Sequence, residues 1–342
     1  MRVIVFGAGG TVGGWILEQL SQTPGIEQIG CVRRWASAVR PARRGIPLVQ
    51  VDLERGDLRE VVRGADSVVN AAMLPAQREA DLVESLYRAC NEMGVGRFIQ
   101  MSSAAVYGRS EGEVDETHPP CPCDAYSAGK ALMESRLLAA AQTAFTQVFI
   151  LRPSIVYGPF STAWTERYVR RILAARWRNL GAGGQGTCNL IHGLDLASMV
   201  VAAATGEVPA GNHVLNVNGP DAITWNQYIE LLGDALEIPA RHPLSGLEYQ
   251  ARTAAASLLR LGKNFQWVRT LRRRSRGTAR AAILSAQQMT DLYPDETERA
   301  LLARRVHYSA ARATEVLRIA PAITATEGIR DSAQWCRRHG IA

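Results

Sequence analysis

The sequence predicts an α/β protein: a doubly wound parallel sheet with a smaller C-terminal α/β domain. Three observations carry this reading. The chain opens on a strand-like apolar run that turns through glycines into a helix-forming stretch. Apolar runs of strand length then recur through the first half with helix-like segments between most of them, the alternation that a parallel sheet covered on both faces requires. Beyond about residue 160 that rhythm gives way to helices separated by shorter apolar runs.

Taken in order, Arg2 to Phe6 is the first strand, Gly7 to Gly14 the turn, and Trp15 to Leu20 the start of the first helix. Further strands are expected over Gln28 to Val32, Pro47 to Val51, Ser67 to Ala71, Arg97 to Met101 and Gln147 to Leu151. The C-terminal half shows helical stretches at Thr165 to Trp177, Trp225 to Leu236, Ala251 to Leu261 and Glu296 to Arg305, and a short apolar run at Asn212 to Val217. Residues 1–160 therefore form the first domain, with the apolar helical stretch 194–206 returning to it. Residues 161–342 are mainly the second domain, including an arginine-rich segment at 249–290.

Composition bounds the function. With 342 residues, 47% hydrophobic and 21% charged, the chain is neither collagen-like, nor disordered, nor a disulfide scaffold. No apolar run approaches the roughly 18 to 20 residues of a membrane span. Met1 to Phe6 runs straight into the glycine turn without a secretory pattern, so a cytoplasmic location is expected. Of six cysteines only Cys121 and Cys123 lie close together, which is short of a zinc site; no metal is expected. Residues 249–290 carry nine basic side chains and no acid, more than the whole net charge of +7, so the basicity belongs to one segment. That segment suits a solvated helical face, an anion site or contact with an acidic membrane surface; no nucleic-acid reading motif accompanies it.

Gly7, Gly10 and Gly13 fall between a strand and a helix at the spacing G-x-x-G-x-x-G, where absent side chains let backbone N–H groups approach a pyrophosphate. The second strand ends in Cys31-Val32-Arg33-Arg34, with no acid to accept a bond from a ribose 2′-hydroxyl and two guanidiniums suited to a 2′-phosphate. NADP is therefore preferred to NAD. Asp52, past the third strand, is positioned to face the adenine amino group.

Tyr126 and Lys130 stand four apart in a helix-forming segment, on one face, and Lys130 is one of only two lysines in the chain, with Lys263. Tyrosine ionises near pH 10 in general, and an adjacent ammonium favours the phenolate, which suits a proton donor and acceptor. Upstream, Phe98 to Gly108 runs from a strand into a loop bearing Ser102 and Ser103, placed to stabilise charge on a carbonyl oxygen.

In these residues the chain resembles an extended short-chain dehydrogenase/reductase of the NAD-dependent epimerase/dehydratase type, with a Rossmann-type first domain. The resemblance covers nearly the whole length and rests on the glycine loop, Asp52-Leu53, Asn70-Ala71-Ala72, Ser103 with Val106-Tyr107-Gly108, the Tyr126/Lys130 pair, Arg152-Pro153 with Val156-Tyr157-Gly158-Pro159, and Ile191-His192 with Asp195-Leu196-Ala197. It closes on Glu327-Gly328-Ile329 and Trp335.

The resemblance implies that Tyr126 is the general acid/base, that Lys130 orients the nicotinamide ribose, and that Ser103 rather than Ser102 holds the reacting oxygen. The implied cofactor set is Gly7, Gly9, Gly10, Thr11, Val12, Gly13, Arg33, Arg34, Asp52, Leu53, Asn70, Ala71, Ala72, Tyr126, Lys130, Pro153, Ile155 and Val156; the implied substrate set is Ser103, Ala104, Tyr126 and His192.

Departures narrow the chemistry. Ala104-Ala105 stands where the family's dehydratases carry Asp-Glu, which disfavours dehydration. Ser154-Ile155 replaces the Phe-Asn common among nucleotide-sugar members, and the fourth-helix asparagine is missing from Arg78 to Ser85. The expected activity is hydride transfer between nicotinamide and a secondary alcohol or ketone of a sugar-like or nucleotide-sugar metabolite. A nucleotide-sugar epimerase with retained cofactor is the enzymatic alternative, and a non-catalytic dinucleotide-binding regulator is the other. The expected partners are a small-molecule substrate and, by resemblance, a second copy in a homodimer.

Overall fold

The computed structural model describes residues 1–174, 179–238, 254 and 294–342. The arginine-rich segment 249–290 and the helix expected over Ala251 to Leu261 lie, Ala254 apart, outside the described residues. The strands are β1 (Arg2–Phe6), β2 (Glu27–Val32), β3 (Leu48–Gln50), β4 (Ser67–Asn70), β5 (Arg97–Met101), β6 (Gly112–Val114), β7 (Gln147–Pro153), β8 (Ile155–Tyr157), β9 (Thr187–Cys188), β10 (Leu190–His192), β11 (His213–Val217), β12 (Ile223–Thr224) and β13 (Val306–Tyr308). The helices are α1 (Thr11–Leu20), α2 (Val39–Ala42), α3 (Leu58–Val62), α4 (Glu79–Glu92), α5 (Ala125–Ala141), α6 (Arg167–Leu173), α7 (Gly193–Thr205), α8 (Trp225–Ala235), α9 (Glu296–Ala303), α10 (Ala311–Leu317) and α11 (Ala325–Arg338). Among the described residues no helix is long and apolar enough to cross a membrane.

The chain divides into two compact units. The first holds Met1–Tyr157, Asn189–Asp221 and His307–Thr324; the second holds Gly158–Cys188, Ala222–Val306 and Ala325–Ala342.

The first unit is built on a seven-stranded sheet of order β11-β7-β5-β4-β1-β2-β3, every neighbouring pair parallel. Its inner strands β1, β4, β5 and β7 are buried on both faces, which is why they read as continuous apolar runs rather than as alternating ones, whereas the edge strand β3 is largely exposed. Val3, Val5 and Val69 face one layer with Ile16, Leu20, Leu196 and Val200 of α1 and α7. Ile4, Phe6 and Val68 face the other with Leu86 of α4 and Leu137 of α5. Each such fully buried aliphatic side chain contributes roughly 1.5–3 kcal/mol. Strand order reverses between β1 and β4, the switch point at which open α/β sheets bind ligands.

Beyond the expected 194–206, the first unit also takes 189–193, 207–221 and 307–324. Side-chain bonds explain part of this return: Asp195 near the start of α7 accepts from the backbone N–H of Ala322 and Ile323 at 3.1 and 2.9 Å, and Asn218 Nδ2 donates to the Tyr308 carbonyl at 3.2 Å.

In the second unit β9 and β12 pair antiparallel, and Thr224 and Gln227 form a capping box that starts α8. Arg171 is buried against Glu298 at 2.6 Å, beside the stacked rings of Tyr168 and Trp225. The helix expected from Thr165 begins as a π-turn over Thr162–Glu166, where Tyr228 donates its hydroxyl to the Trp164 carbonyl, and continues as α6.

Candidate active site

The carboxyl ends of β1, β4 and β5 meet the first turns of α1, α4 and α5, all within the first unit. Gly7 follows β1 with φ +80°, and a Cβ there would lie 2.5 Å from the Ala71 carbonyl carbon and oxygen and 2.6 Å from the Ala72 nitrogen. A Cβ on Gly13 would lie 2.2 Å from the Gly7 carbonyl oxygen. Both positions therefore demand glycine: the turn is left-handed at Gly7, and the helix presses on the turn at Gly13. Gly10 precedes α1 and no side chain caps the helix, so its amino-terminal N–H groups are the donors an anion would meet. This side-chain-free turn fits a dinucleotide's pyrophosphate.

Asn70 lies deeper than the sequence suggests. It is buried; its Nδ2 donates to Gln100 Oε1 at 2.8 Å, and its Oδ1 accepts from the Ala72 N–H at 3.2 Å. Gln100 Nε2 in turn donates to the Met101 carbonyl at 2.8 Å, and Lys130 Nζ donates to the same carbonyl at 3.0 Å. One polar line thus runs from the loop beneath Gly7 to the lysine of α5. No motif in the sequence points to Gln100.

At the end of β2, Arg33 and Arg34 are exposed, whereas Arg40 is held by Glu18 at 2.9 Å. Burial pushes the Cys31 thiol up to about 12, so this edge presents guanidiniums and no reactive sulfur. Asp52 is half-buried and its Oδ1 accepts from the Glu54 N–H at 2.9 Å; Leu53 packs on the core beside it.

Helix α5 starts at a capping box between Asp124 and Ser127, with the Ser127 N–H donating to Asp124 Oδ1 at 2.7 Å. The cap, worth about 1 kcal/mol, fixes where the first turn begins and so where Tyr126 and Lys130 stand. Tyr126 is 43% exposed, and the Lys130 ammonium lies 5.8 Å from the centroid of its ring. Lys130 itself is buried and donates to Glu79 Oε1 of α4 at 2.7 Å.

The two serines separate cleanly. Ser102 is buried and donates its hydroxyl to Glu134. Ser103 is half-buried and accepts from the Ala105 N–H at 3.1 Å, which leaves its own O–H as a donor.

Glu134, one further turn along α5 from Lys130, is gripped by Arg152 through Nε at 3.1 Å, and Arg152 Nη1 donates to the Tyr107 hydroxyl at 2.7 Å. Tyr107 donates to Asn216 Oδ1 at 2.8 Å. Burial raises the Tyr107 phenol above the ordinary tyrosine range against the opposing pull of Arg152. Sequence reasoning missed Glu79 and Glu134. The signal for Glu134 was present, since it repeats the four-residue spacing of Tyr126 and Lys130; Glu79 had none.

Two residues of the implied substrate set, His192 and Ala104, are buried. His192 is 2% exposed, ends β10, accepts from the Leu194 N–H through Nδ1 and lies edge-on to Tyr157 at 5.3 Å, so it starts α7 rather than facing solvent. Ala104 is buried in the short helical turn Ala104–Tyr107 that Ser103 caps. Pro153 is buried at the end of β7, and Ile155 and Val156 are half-buried in β8. Among the described residues no group of three or more His, Cys, Asp or Glu side chains is arranged to hold a metal ion.

The chain is similar to several known proteins. It is 24% identical over 182 residues to YtcB of Bacillus subtilis, described as an uncharacterized UDP-glucose epimerase, a match that covers 46% of this chain and 58% of that protein's length. It is 24% identical over 366 residues to the protein y4nL of Sinorhizobium fredii, covering 99% of this chain and 96% of the other. It shares its fold with a solved UDP-glucuronic acid 4-epimerase from Bacillus cereus in complex with UDP-glucuronic acid and NAD, at TM-score 0.75 and 17% identity over 99% of this chain and 100% of that one. A family model matches residues 3–217, which contain the glycine turn, the Tyr126/Lys130 pair and, Arg2 apart, the seven-stranded sheet, and the chain belongs to the NAD dependent epimerase/dehydratase family.

Proposed function

We propose that the protein is a nucleotide-sugar epimerase working through a bound nicotinamide dinucleotide. The observation that carries this is the Lys130 ammonium, buried beneath Tyr126 and tied to the carbonyl at the end of β5, two residues before Ser103. When bound, the nicotinamide supplies a reversible hydride acceptor. Tyr126 takes the hydroxyl proton of the carbinol as its C–H hydride leaves, and returns that proton when the ketone is reduced from the opposite face. Ser103 donates a hydrogen bond to the reacting oxygen in both directions. Lys130, with two of its donors engaged by Glu79 and the Met101 carbonyl, keeps an N–H donor for the nicotinamide ribose. Proton and hydride both return to the sugar, so there is no net oxidation. The UDP-sugar epimerases to which the chain is similar support this reading.

A second reading, net oxidation or reduction of another secondary alcohol, is favoured by Ser154-Ile155 in place of Phe-Asn. For the cofactor, exposed Arg33 and Arg34 favour NADP, whereas the solved relative carries NAD; mass spectrometry of the nucleotide released on denaturation decides. The reading also takes the protein as a cytoplasmic homodimer, the dimer being open to sedimentation equilibrium. The activity test is proton NMR of UDP-glucose, UDP-glucuronic acid and UDP-N-acetylglucosamine incubated with the protein. A new epimer with no lasting change in nicotinamide absorbance is expected; stoichiometric consumption of reduced dinucleotide would overturn epimerisation in favour of the second reading.

A further inference from the structure

We propose that Glu79 is a positioning residue for the nicotinamide half of the dinucleotide: its buried carboxylate holds the Lys130 ammonium in one place with a single N–H donor left over. The inference rests on the reading that Lys130 meets the nicotinamide ribose.

Glu79 opens α4 and is 2% exposed, and its Oε1 lies 2.7 Å from Lys130 Nζ. An ammonium has three donors. Glu79 takes one and the Met101 carbonyl at 3.0 Å takes another, so the third is the one Lys130 can give to a ligand. The stretch Arg78 to Ser85, where the family resemblance leads one to expect an asparagine, offers this carboxylate instead.

Among the described residues Glu79 has no other ionic partner. The charges around it are engaged elsewhere: on α4 and α5, Asp81 and Glu84 pair with Arg136, and Glu134 is closed by Arg152. A buried ammonium whose carboxylate is removed loses both its compensating charge and a strong bond. The Lys130 side chain would then leave its place, and the ribose would lose its donor.

The test uses the full chain and isothermal titration calorimetry with two probes, NAD⁺ and ADP; should the phosphorylated cofactor bind tighter, NADP⁺ and 2′,5′-ADP replace them. ADP lacks the nicotinamide half and so reports the glycine turn without Lys130. Glu79→Ala is expected to weaken NAD⁺ about tenfold, the loss of one charge-assisted bond, while ADP stays within about twofold. Glu79→Gln, which keeps an acceptor at the same reach, recovers part of the loss. In a Lys130→Met background Glu79→Ala costs nothing further.

Unchanged NAD⁺ affinity overturns the proposal. So does equal weakening of NAD⁺ and ADP, which would mean that Glu79 merely props α4 against α5, and so does a further loss in the Lys130→Met background. If Glu79→Ala does not fold, Glu79→Gln carries the same comparison, with a selective NAD⁺ loss supporting the proposal and an equal or absent loss overturning it. Failure of wild-type protein to bind NAD⁺ or NADP⁺ at all would remove the cofactor reading and this inference together. Loss of the acid/base role of Tyr126 would leave these binding results standing.

Discussion

At the glycine turn the first unit makes room by leaving side chains out, whereas at α5 it fills the same end of the sheet with charged side chains that hold one another. The turn is a product of backbone sterics alone: Gly7 and Gly13 sit where a single Cβ would strike main-chain atoms. The α5 end is a product of pairing at a distance, with Lys130 meeting Glu79 from 51 residues upstream and Glu134 meeting Arg152 from the next strand. The contrast teaches that a change in the turn should show mainly in binding, whereas a change among the paired charges should also show in folding.

The largest effect expected from this contrast is on stability. Arg152→Met leaves the Glu134 carboxylate buried without its cation, and should cost about 3–5 kcal/mol in urea unfolding. The double variant Arg152→Met with Glu134→Leu should be much milder, because no charge is then left alone; an equal loss in both would show that packing, not charge, is what the pair supplies.

Gly7→Ala should reverse the pattern. Left-handed backbone at a residue with a Cβ costs roughly 1–2 kcal/mol, and the contact with Ala71 forces the turn to move. Dinucleotide titration should therefore show binding lost, with only a modest fall in melting temperature. Retained affinity would mean that the turn is not where the pyrophosphate lies.

A smaller effect should sharpen the edge between the two halves. Replacing Arg33 and Arg34 together by Ala should weaken NADP⁺ about tenfold through lost charge-assisted bonds to the 2′-phosphate and leave NAD⁺ almost unchanged. Equal affinities for both dinucleotides in the wild type would assign these exposed guanidiniums to solvent.

The contrast also explains what could be read in advance. Strand–turn–helix at the amino terminus is legible because glycine spacing and apolar runs are local, and β1 and β5 stand at their expected limits, Arg2–Phe6 and Arg97–Met101. Tyr126 and Lys130 are legible for the same reason, since helical period alone puts them on one face. Glu79 was not, because no periodicity links a residue at the start of α4 to one in the middle of the first turns of α5. Nor was the return of 307–324, which depends on backbone N–H groups reaching Asp195. The setting of His192 was not legible either, because a motif names a residue and not the direction it faces: here the ring is buried against Tyr157 and begins α7.

The most direct test of the account is the turnover of Tyr126→Phe on a substrate that the wild-type protein converts, with dinucleotide affinity measured alongside. The account predicts a rate lower by about 10²–10⁴, the range for a lost general acid/base, with affinity for the dinucleotide unchanged within about twofold. A variant that works at the wild-type rate would contradict it and place the proton with another group.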